Sequence, residues 1–224
     1  MRTYGQYCPV ARSLDLIGDR WTLLIIRELR WRDSRYSDLR DALPGIATNL
    51  LADRLRQLEA DGLIESYVAP APVRASVYRL TPRGRELGPV LRALVEWGGP
   101  LIGSGQGGDY FRTHWLALEL PVLFNGIDVA DLAPLTVLVQ TGDQPATIEL
   151  DDDGVSMNVG APASSEQVVV VEGEPEGVFA LLTGTSNNRN RARASIRGPS
   201  DAVRRLHALA ARSRLATPRN AARP

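Results

Sequence analysis

The 224-residue sequence predicts an α+β protein in two parts. Three observations carry that prediction. The stretch from Leu43 to Ile64 has a helical apolar stripe that runs into a strand pattern, Gly98 to Asp109 has the glycine-rich composition of a link between packed units, and the chain beyond it alternates strand-like and helical segments.

In the first part, Ile46, Leu51, Leu55 and Leu58 share one side of a helix, and Thr48, Asn49, Ala52, Asp53 and Arg56 share the other. Gly62 stands where a helix end favours positive φ, so this helix is expected to stop at about Asp61. Upstream, Tyr36 to Leu43 reads as a shorter helix, capped by Ser34 or Ser37 and closed by Pro44-Gly45. Downstream, Leu63, Ile64 and Val68 begin one strand, Ser76 to Leu80 forms its partner, and Ala69 to Arg74 is the tip between them, stiffened by Pro70 and Pro72. Helix, tight turn, helix, then a two-stranded wing is the order of a winged helix-turn-helix. Thr81-Pro82 suits the start of a further helix, with Leu87, Val90, Leu91, Leu94, Val95 and Trp97 on its apolar face. That face is too large for a small domain to hide alone, so a homodimer is expected.

Several of these segments together carry a resemblance. Tyr7-Cys8-Pro9-Val10, Leu16 to Ile25 (LIGDRWTLLI), Tyr36-Ser37-Asp38-Leu39, Leu43-Pro44-Gly45-Ile46, Asp61-Gly62-Leu63 and Tyr78 to Gly84 (YRLTPRG) resemble, in order over about the first hundred residues, the HxlR-type winged-helix transcriptional regulators. The resemblance implies a dimeric bacterial regulator of double-stranded operator DNA with an inverted repeat. It also implies a dimer interface built from the N-terminal helix and the helix after the wing. The family usually has Ser at the start of its recognition helix and a basic residue near Asn49. Here Ala47, Thr48 and Asn49 stand instead, with Thr48 expected to take over the cap. Asn49 can make a bidentate contact to adenine. Thr48, Asn49, Arg54 and Arg56 are expected to read or position the major groove, Ala52 and Asp53 to lie on the same face, and Arg35, Ser37 and Arg74 to meet phosphates. Repression is the expected sign of control.

The second part is expected to open with a helix from Tyr110 to Leu118 and a further apolar segment, Leu120 to Phe124. Strands are predicted at Leu135–Thr141, Ala146–Asp151 and Val155–Val159, with Asp152-Asp153-Gly154 as a hairpin turn. A strand at Val168–Glu172, a helix at Pro175–Leu182, a strand at Ala194–Arg197 and a helix at Ser200–Ala211 follow. The run from Val168 to Pro175, then Phe179 to Gly184, then Ala194 to Ser200 resembles the sterol-carrier-protein fold, which implies an apolar tunnel. The expected fold class is therefore a winged helix-turn-helix followed by a small α+β sterol-carrier-like domain. The boundaries are 1–100 for DNA binding and dimerisation, 101–109 for the linker, 110–214 for the second domain and 215–224 for a basic flexible tail.

An apolar small-molecule effector in that domain would be lined by Phe111, Trp115, Leu118, Leu123, Phe124, Val137, Val139, Ile148, Val155, Met157, Phe179 and Leu182. The same residues are equally what a closed core needs. Cys8, with Pro9 at the first helical position, is placed where a helix dipole favours thiolate, as in a thiol-based sensor of oxidants or electrophiles, or where a thiol simply packs. In that sensor reading the second domain serves only as scaffold. A lipid or small-molecule carrier with no DNA-binding role is the remaining alternative.

Composition limits the rest. With one Cys there is no disulfide framework, and with no secretory pattern at the N-terminus and no long apolar run, a cytoplasmic protein without a membrane span is expected. All 26 basic residues are Arg, balanced by 26 acidic ones, but unevenly. Residues 1–105 hold 15 Arg against 12 Asp and Glu, residues 106–188 hold 1 against 13, and residues 189–224 hold 10 against 1. The middle of the chain would repel DNA; the basic end is either a solvated helix face and tail or a supplementary phosphate clamp. No catalytic residue, metal site or cofactor is expected. His114 and His207 are far apart and each reads as a surface or helix-face residue, Asp151 to Gly154 lacks calcium-loop spacing, and Gly103 to Gly108 lacks the Lys-Ser/Thr of a phosphate loop.

Overall fold

The computed structural model describes residues 3–70, 74–104, 107–163, 167–187 and 193–216. It divides into two compact units, Met1–Leu91 and Arg92–Pro224. The division falls inside a helix rather than at the glycine-rich segment, whose residues Gly99–Ser104 form 3-10 turns. Residues 217–224, most of the expected tail, lie outside the described residues, as do 71–73 of the expected wing tip, Pro72 among them.

The first unit contains α1 (Pro9–Ile17), α2 (Thr22–Trp31), β1 (Ser34–Arg35), α3 (Tyr36–Ala42), α4 (Thr48–Ala60), β2 (Ile64–Val68), β3 (Ser76–Leu80) and α5 (Pro82–Arg85). Its core is made where the apolar stripes of α2, α3 and α4 meet: Ile25, Ile26, Leu39, Leu51, Leu55 and Leu58 are all fully buried. Each such side chain contributes about 1.5–3 kcal/mol, which offsets the weak intrinsic stability of helices this short. The sheet has the order β1-β3-β2, antiparallel throughout, with Ile64 opposite Leu80 and Val68 opposite Ser76.

The helix after the wing is not continuous. α5 is a single capped turn in which the Thr81 hydroxyl accepts from Gly84 N, and α6 (Gly88–Gly98) restarts after Glu86-Leu87. The break follows from how closely α5 packs: the hydroxyl of Thr81 also donates to Gly62 O at 2.7 Å, and Gly84 is buried against Leu63. Leu87 and Leu91 pack on the core, whereas Val90, Leu94 and Trp97 stay exposed.

The second unit is an α+β layer. After α7 (Thr113–Glu119) come 3-10 turns at Leu120–Phe124, then β4 (Leu135–Thr141), β5 (Gln144–Asp151), β6 (Gly154–Val159), β7 (Val169–Gly173), α8 (Pro175–Leu182), β8 (Ala194–Arg197) and α9 (Ser200–Arg212). The sheet order is β6-β5-β4-β7-β8; β4 and β7 are parallel and every other pair is antiparallel. Val137 lies opposite both Ile148 and Val169, and Ile148 opposite Met157, so one sheet face presents a continuous apolar row to the helices. Gln140, Glu149, Ser156, Asn158, Glu172 and Arg197 are exposed on the other face.

Two local expectations are corrected here. The first helix begins at Thr113 instead of Tyr110, because Asp143 in the β4–β5 turn accepts from Thr113 N at 3.0 Å and from Arg112 at 3.2 Å, holding the preceding segment extended. β5 starts two residues earlier than its apolar pattern, since Gly142-Asp143 closes a two-residue hairpin with Thr141 opposite Gln144. The second hairpin turns at Asp152-Asp153, where Asp151 accepts from Asp153 N at 2.9 Å and Gly154 has φ of 112°.

Candidate nucleic-acid interface

The candidate interface is the polar face of α4 with its supports. Leu51, Leu55 and Leu58 anchor the helix inward, which leaves Thr48, Asn49, Asp53 and Arg56 exposed and Ala52 half-buried. The N-cap is Ala47, in extended conformation and without a side-chain cap; Thr48 is the first helical residue, so the expected Thr48 cap is not formed. The start is secured differently. The Tyr36 hydroxyl on α3 donates to Thr48 O at 2.7 Å, fixing the first turn of α4 against the preceding helix. At the other end Leu63 N donates to Leu58 O at 2.9 Å and Gly62 N to Glu59 O at 3.0 Å around Gly62 at φ of 68°, a Schellman closure.

α3 is capped by neither Ser34 nor Ser37. Arg35 is its N-cap residue, Asp38 accepts from Arg35 N at 3.0 Å, and Ser34 is buried with its hydroxyl donating to Arg32 O. Arg35 and Ser37 are both exposed beside the first turn of α3. Arg74 is exposed at the end of the wing tip with φ of 39°, and Ala69 N donates to Ala75 O at 2.9 Å across the base of that tip.

The charged residues of α4 differ in availability. Arg56 is solvent-facing and ion-paired with Asp53 one turn earlier, so the helix face is close to neutral there. Arg54 is about three-quarters buried and ion-paired with Asp19, which stands before α2. It fastens α4 to that turn, a role different from the groove contact its sequence position suggests. The wing has its own tie: Tyr67 on β2 donates to Asp33 at 2.9 Å, and Arg79 on β3 lies 4.9 Å over the Tyr67 ring while pairing with Glu65 at 2.8 Å. The partners Asp19, Tyr36, Asp33 and Tyr67 were invisible to a reading by local pattern, since each reaches across at least a dozen residues.

Of the twelve apolar residues expected to line a ligand site, Leu123, Phe124, Val137, Val139, Ile148, Met157 and Leu182 are buried in the second unit. Phe111, Trp115, Leu118, Val155 and Phe179 are only half-buried. α7 turns Thr113, His114, Leu116 and Ala117 inward in place of Phe111, Trp115 and Leu118, and α8 turns Val178 and Ala180 inward together with the expected Leu182. Of the two histidines expected on a surface or a helix face, His114 lies on the buried face of α7 and His207 is exposed on α9. Cys8 is the half-buried N-cap residue of α1, with Pro9 at the first helical position. Among the described residues no three His, Cys, Asp or Glu side chains are grouped to hold a metal, and no helix is long and apolar enough to cross a membrane.

Comparison with known proteins places the first unit. Residues 16–105 match the family described as HxlR-like helix-turn-helix. The HTH-type transcriptional regulator sll1512 of Synechocystis sp. is 44% identical over 94 residues, which cover 42% of this chain and 70% of that protein. The HTH-type transcriptional regulator YvaP of Bacillus subtilis is 34% identical over 95 residues, covering 42% of this chain and 87% of that one. Among solved structures, the reduced form of the transcriptional regulator YodB from B. subtilis aligns with 45% of this chain and 99% of its own, at 31% identity and a TM-score of 0.39. Through its N-terminal winged helix-turn-helix, the chain belongs to the HxlR-like helix-turn-helix family.

Proposed function

We propose that this chain is a homodimeric transcriptional repressor that inserts α4 into the major groove of an inverted-repeat operator and changes its DNA affinity when an apolar molecule binds the second unit. The carrying observation is the exposed Thr48, Asn49 and Arg56 on a helix whose opposite stripe is buried and whose C-terminus runs directly into a wing. Asn49 supplies the bidentate donor and acceptor for adenine, Thr48 and Ala52 the small contacts, and Arg35, Ser37 and Arg74 the phosphate contacts that set register. Exposed Val90, Leu94 and Trp97 on α6, and Tyr7, Val10 and Leu14 about α1, support a second copy as their cover.

The effector reading is supported by the second unit's resemblance to the sterol-carrier fold and by its apolar row under α7, α8 and α9. Ligand class is carried by site chemistry, and fold alone does not assign it. The test begins with native mass spectrometry of protein purified from its host, followed by titration of any co-purified molecule against binding to a duplex selected by the protein from a random-sequence library. A bound apolar molecule that shifts DNA affinity is expected. Protein that selects no duplex refutes the regulator reading and leaves a carrier; protein that binds DNA with no effect of the molecule refutes the effector reading.

Cys8 favours a second reading, because it is the half-buried N-cap residue of α1 and makes no side-chain capping hydrogen bond. As the chain's one thiol, it would respond through a disulfide to another copy or an adduct with a small thiol. Loss of the oxidant response of DNA binding in Cys8→Ser is the expected result; an unchanged response removes this reading.

A further inference from the structure

The turn between α1 and α2 stands against the recognition helix. Asp19 reaches Arg54 on α4, and Thr22 N donates to Asp19 O at 3.1 Å, so the turn is closed on itself as well as fastened to α4. The next residue, Arg20, is exposed, and its guanidinium lies 5.6 Å from the centre of the Trp21 ring. Trp21 is partly buried against the core, and its ring reaches the α3–α4 turn, where a Cβ at Gly45 would lie 3.9 Å from Cη2. Arg20 is thus mounted on a fixed indole, one residue from the ion pair that holds α4. Among the described ion pairs it takes no part, whereas Arg54 is neutralised by Asp19 and Arg56 by Asp53.

From this arrangement we infer that Arg20 is a phosphate clamp, which grips the DNA backbone flanking the groove that receives α4, with Asp19 and Trp21 as its positioning residues. The inference rests on the DNA-binding reading of α4. A helix lying in a groove about 12 Å wide brings the elements beside it onto the bordering phosphates. A guanidinium is suited to that contact because its planar fork meets two phosphate oxygens at once, and stacking on an aromatic face pre-orders it while leaving its N–H edges free. The sequence offered no sign of this: Arg20 precedes the helix-turn-helix by sixteen residues or so and is brought to it only through Asp19–Arg54 and Trp21–Gly45.

The test measures the affinity of the full chain for a duplex selected by the wild-type protein, and for a mixed-sequence duplex of equal length, as salt is raised. In Arg20→Ala the slope of log affinity against log salt is expected to fall by about 0.9 for each protomer bound, with a similar loss on both duplexes. Arg20→Lys restores the slope because the charge returns, and Arg92→Ala, which removes an exposed arginine on α6, leaves it unchanged. An unchanged slope in Arg20→Ala, or an equal fall in Arg92→Ala, overturns the clamp while leaving the DNA-binding reading intact. Failure of wild type to select any duplex overturns both. Arg20 is exposed, so an unaltered thermal melting curve is the expected check that the variant is folded.

Discussion

Tyr67 on the wing donates its phenolic proton to Asp33, 34 residues earlier in the chain, at 2.9 Å. This bond joins β2 to the segment between α2 and β1, and Arg79 closes it from above by stacking on the Tyr67 ring. The wing is therefore tied by three side chains from three segments, in addition to the backbone pairing of β3 with β1 and β2.

The bond has a titration signature. Asp33 as acceptor, helped by desolvation, raises the pKa of Tyr67 above its ordinary value near 10, and Arg79 opposes the rise. Because the folded value is raised, any stabilisation by the neutral phenol is complete below the unfolded value and is lost as pH climbs through the folded one. Ultraviolet titration of the six tyrosines is expected to lose a late-titrating component in Tyr67→Phe and to shift it earlier in Asp33→Asn. The same two variants are expected to weaken DNA binding with little change in thermal stability. A late component left in place by Asp33→Asn, or one that survives in Tyr67→Phe, would show that the bond is absent in solution.

A second tie, Arg54 to Asp19, is partly exposed, with 26% and 50% of the side chains open to solvent. Such pairs are screened, so a double-mutant cycle with Arg54→Ala and Asp19→Ala is expected to give about 0.2–1 kcal/mol of coupling in stability. Asp19→Asn loosens the turn that positions Arg20, so it is expected to weaken binding to any duplex and to flatten the salt dependence. Stronger binding with a steeper salt dependence in Asp19→Asn would mean that Asp19 acts only as a repelling charge and does not position Arg20.

These two ties show what the sequence could and could not convey. The stripe of Leu51, Leu55 and Leu58, the Gly62 stop and the β-strand pattern of Ser76–Leu80 are local, and α4 and β3 follow from them. Local signals also placed α8 and β8. What they missed depends on contacts between distant segments. Thr48 has a reasonable capping side chain, yet the helix start is set by Tyr36 twelve residues away. The lead-in at Tyr110–Arg112 has an apolar periodicity, yet Asp143 holds it extended. Half-burial of Trp115 and Phe179 has the same origin: periodicity identifies a stripe, but the angle at which the helix meets the sheet decides which edge of it is covered.

Gly84 carries a test of the junction between recognition helix and wing. A Cβ there would stand 2.0 Å from the Leu63 carbonyl oxygen, which already accepts from Thr81 N at 3.1 Å. The obstacle is backbone at the point where α4 becomes β2, so it cannot swing aside as a side chain would. Gly84→Ala is expected to destabilise the first unit by about 1–3 kcal/mol, in the range of overpacked cores, read as a lower denaturant midpoint. An unchanged midpoint would place α5 farther from Leu63 than described.

Asp143 governs how the second unit begins. It accepts from Thr113 N and from Arg112, while the Thr113 hydroxyl lies 2.8 Å from both Thr141 O and Gln144 O, so the entry to α7 is strapped onto the β4–β5 turn. Burial alone would raise the carboxyl's pKa; the hydrogen bonds from Thr113 and Arg112 outweigh it and the net shift is downward. A lowered folded value means the contribution is present above the unfolded value near 3.9 and disappears as pH falls through the folded one. Asp143→Asn removes the charge but keeps an acceptor oxygen, so it is expected to lower stability at neutral pH and to flatten the stability profile on the acid side of pH 4. Gly142 makes the strap sensitive to crowding as well as to charge: a Cβ there would meet both Phe111 and the Thr113 hydroxyl at 2.8 Å, at a φ of 67° that side chains resist. Gly142→Ala should therefore loosen the same segment at every pH, shifting the whole profile without altering its slope. If both variants instead produced a parallel shift, Asp143 would be acting through packing and its ionisation would play no part in holding α7.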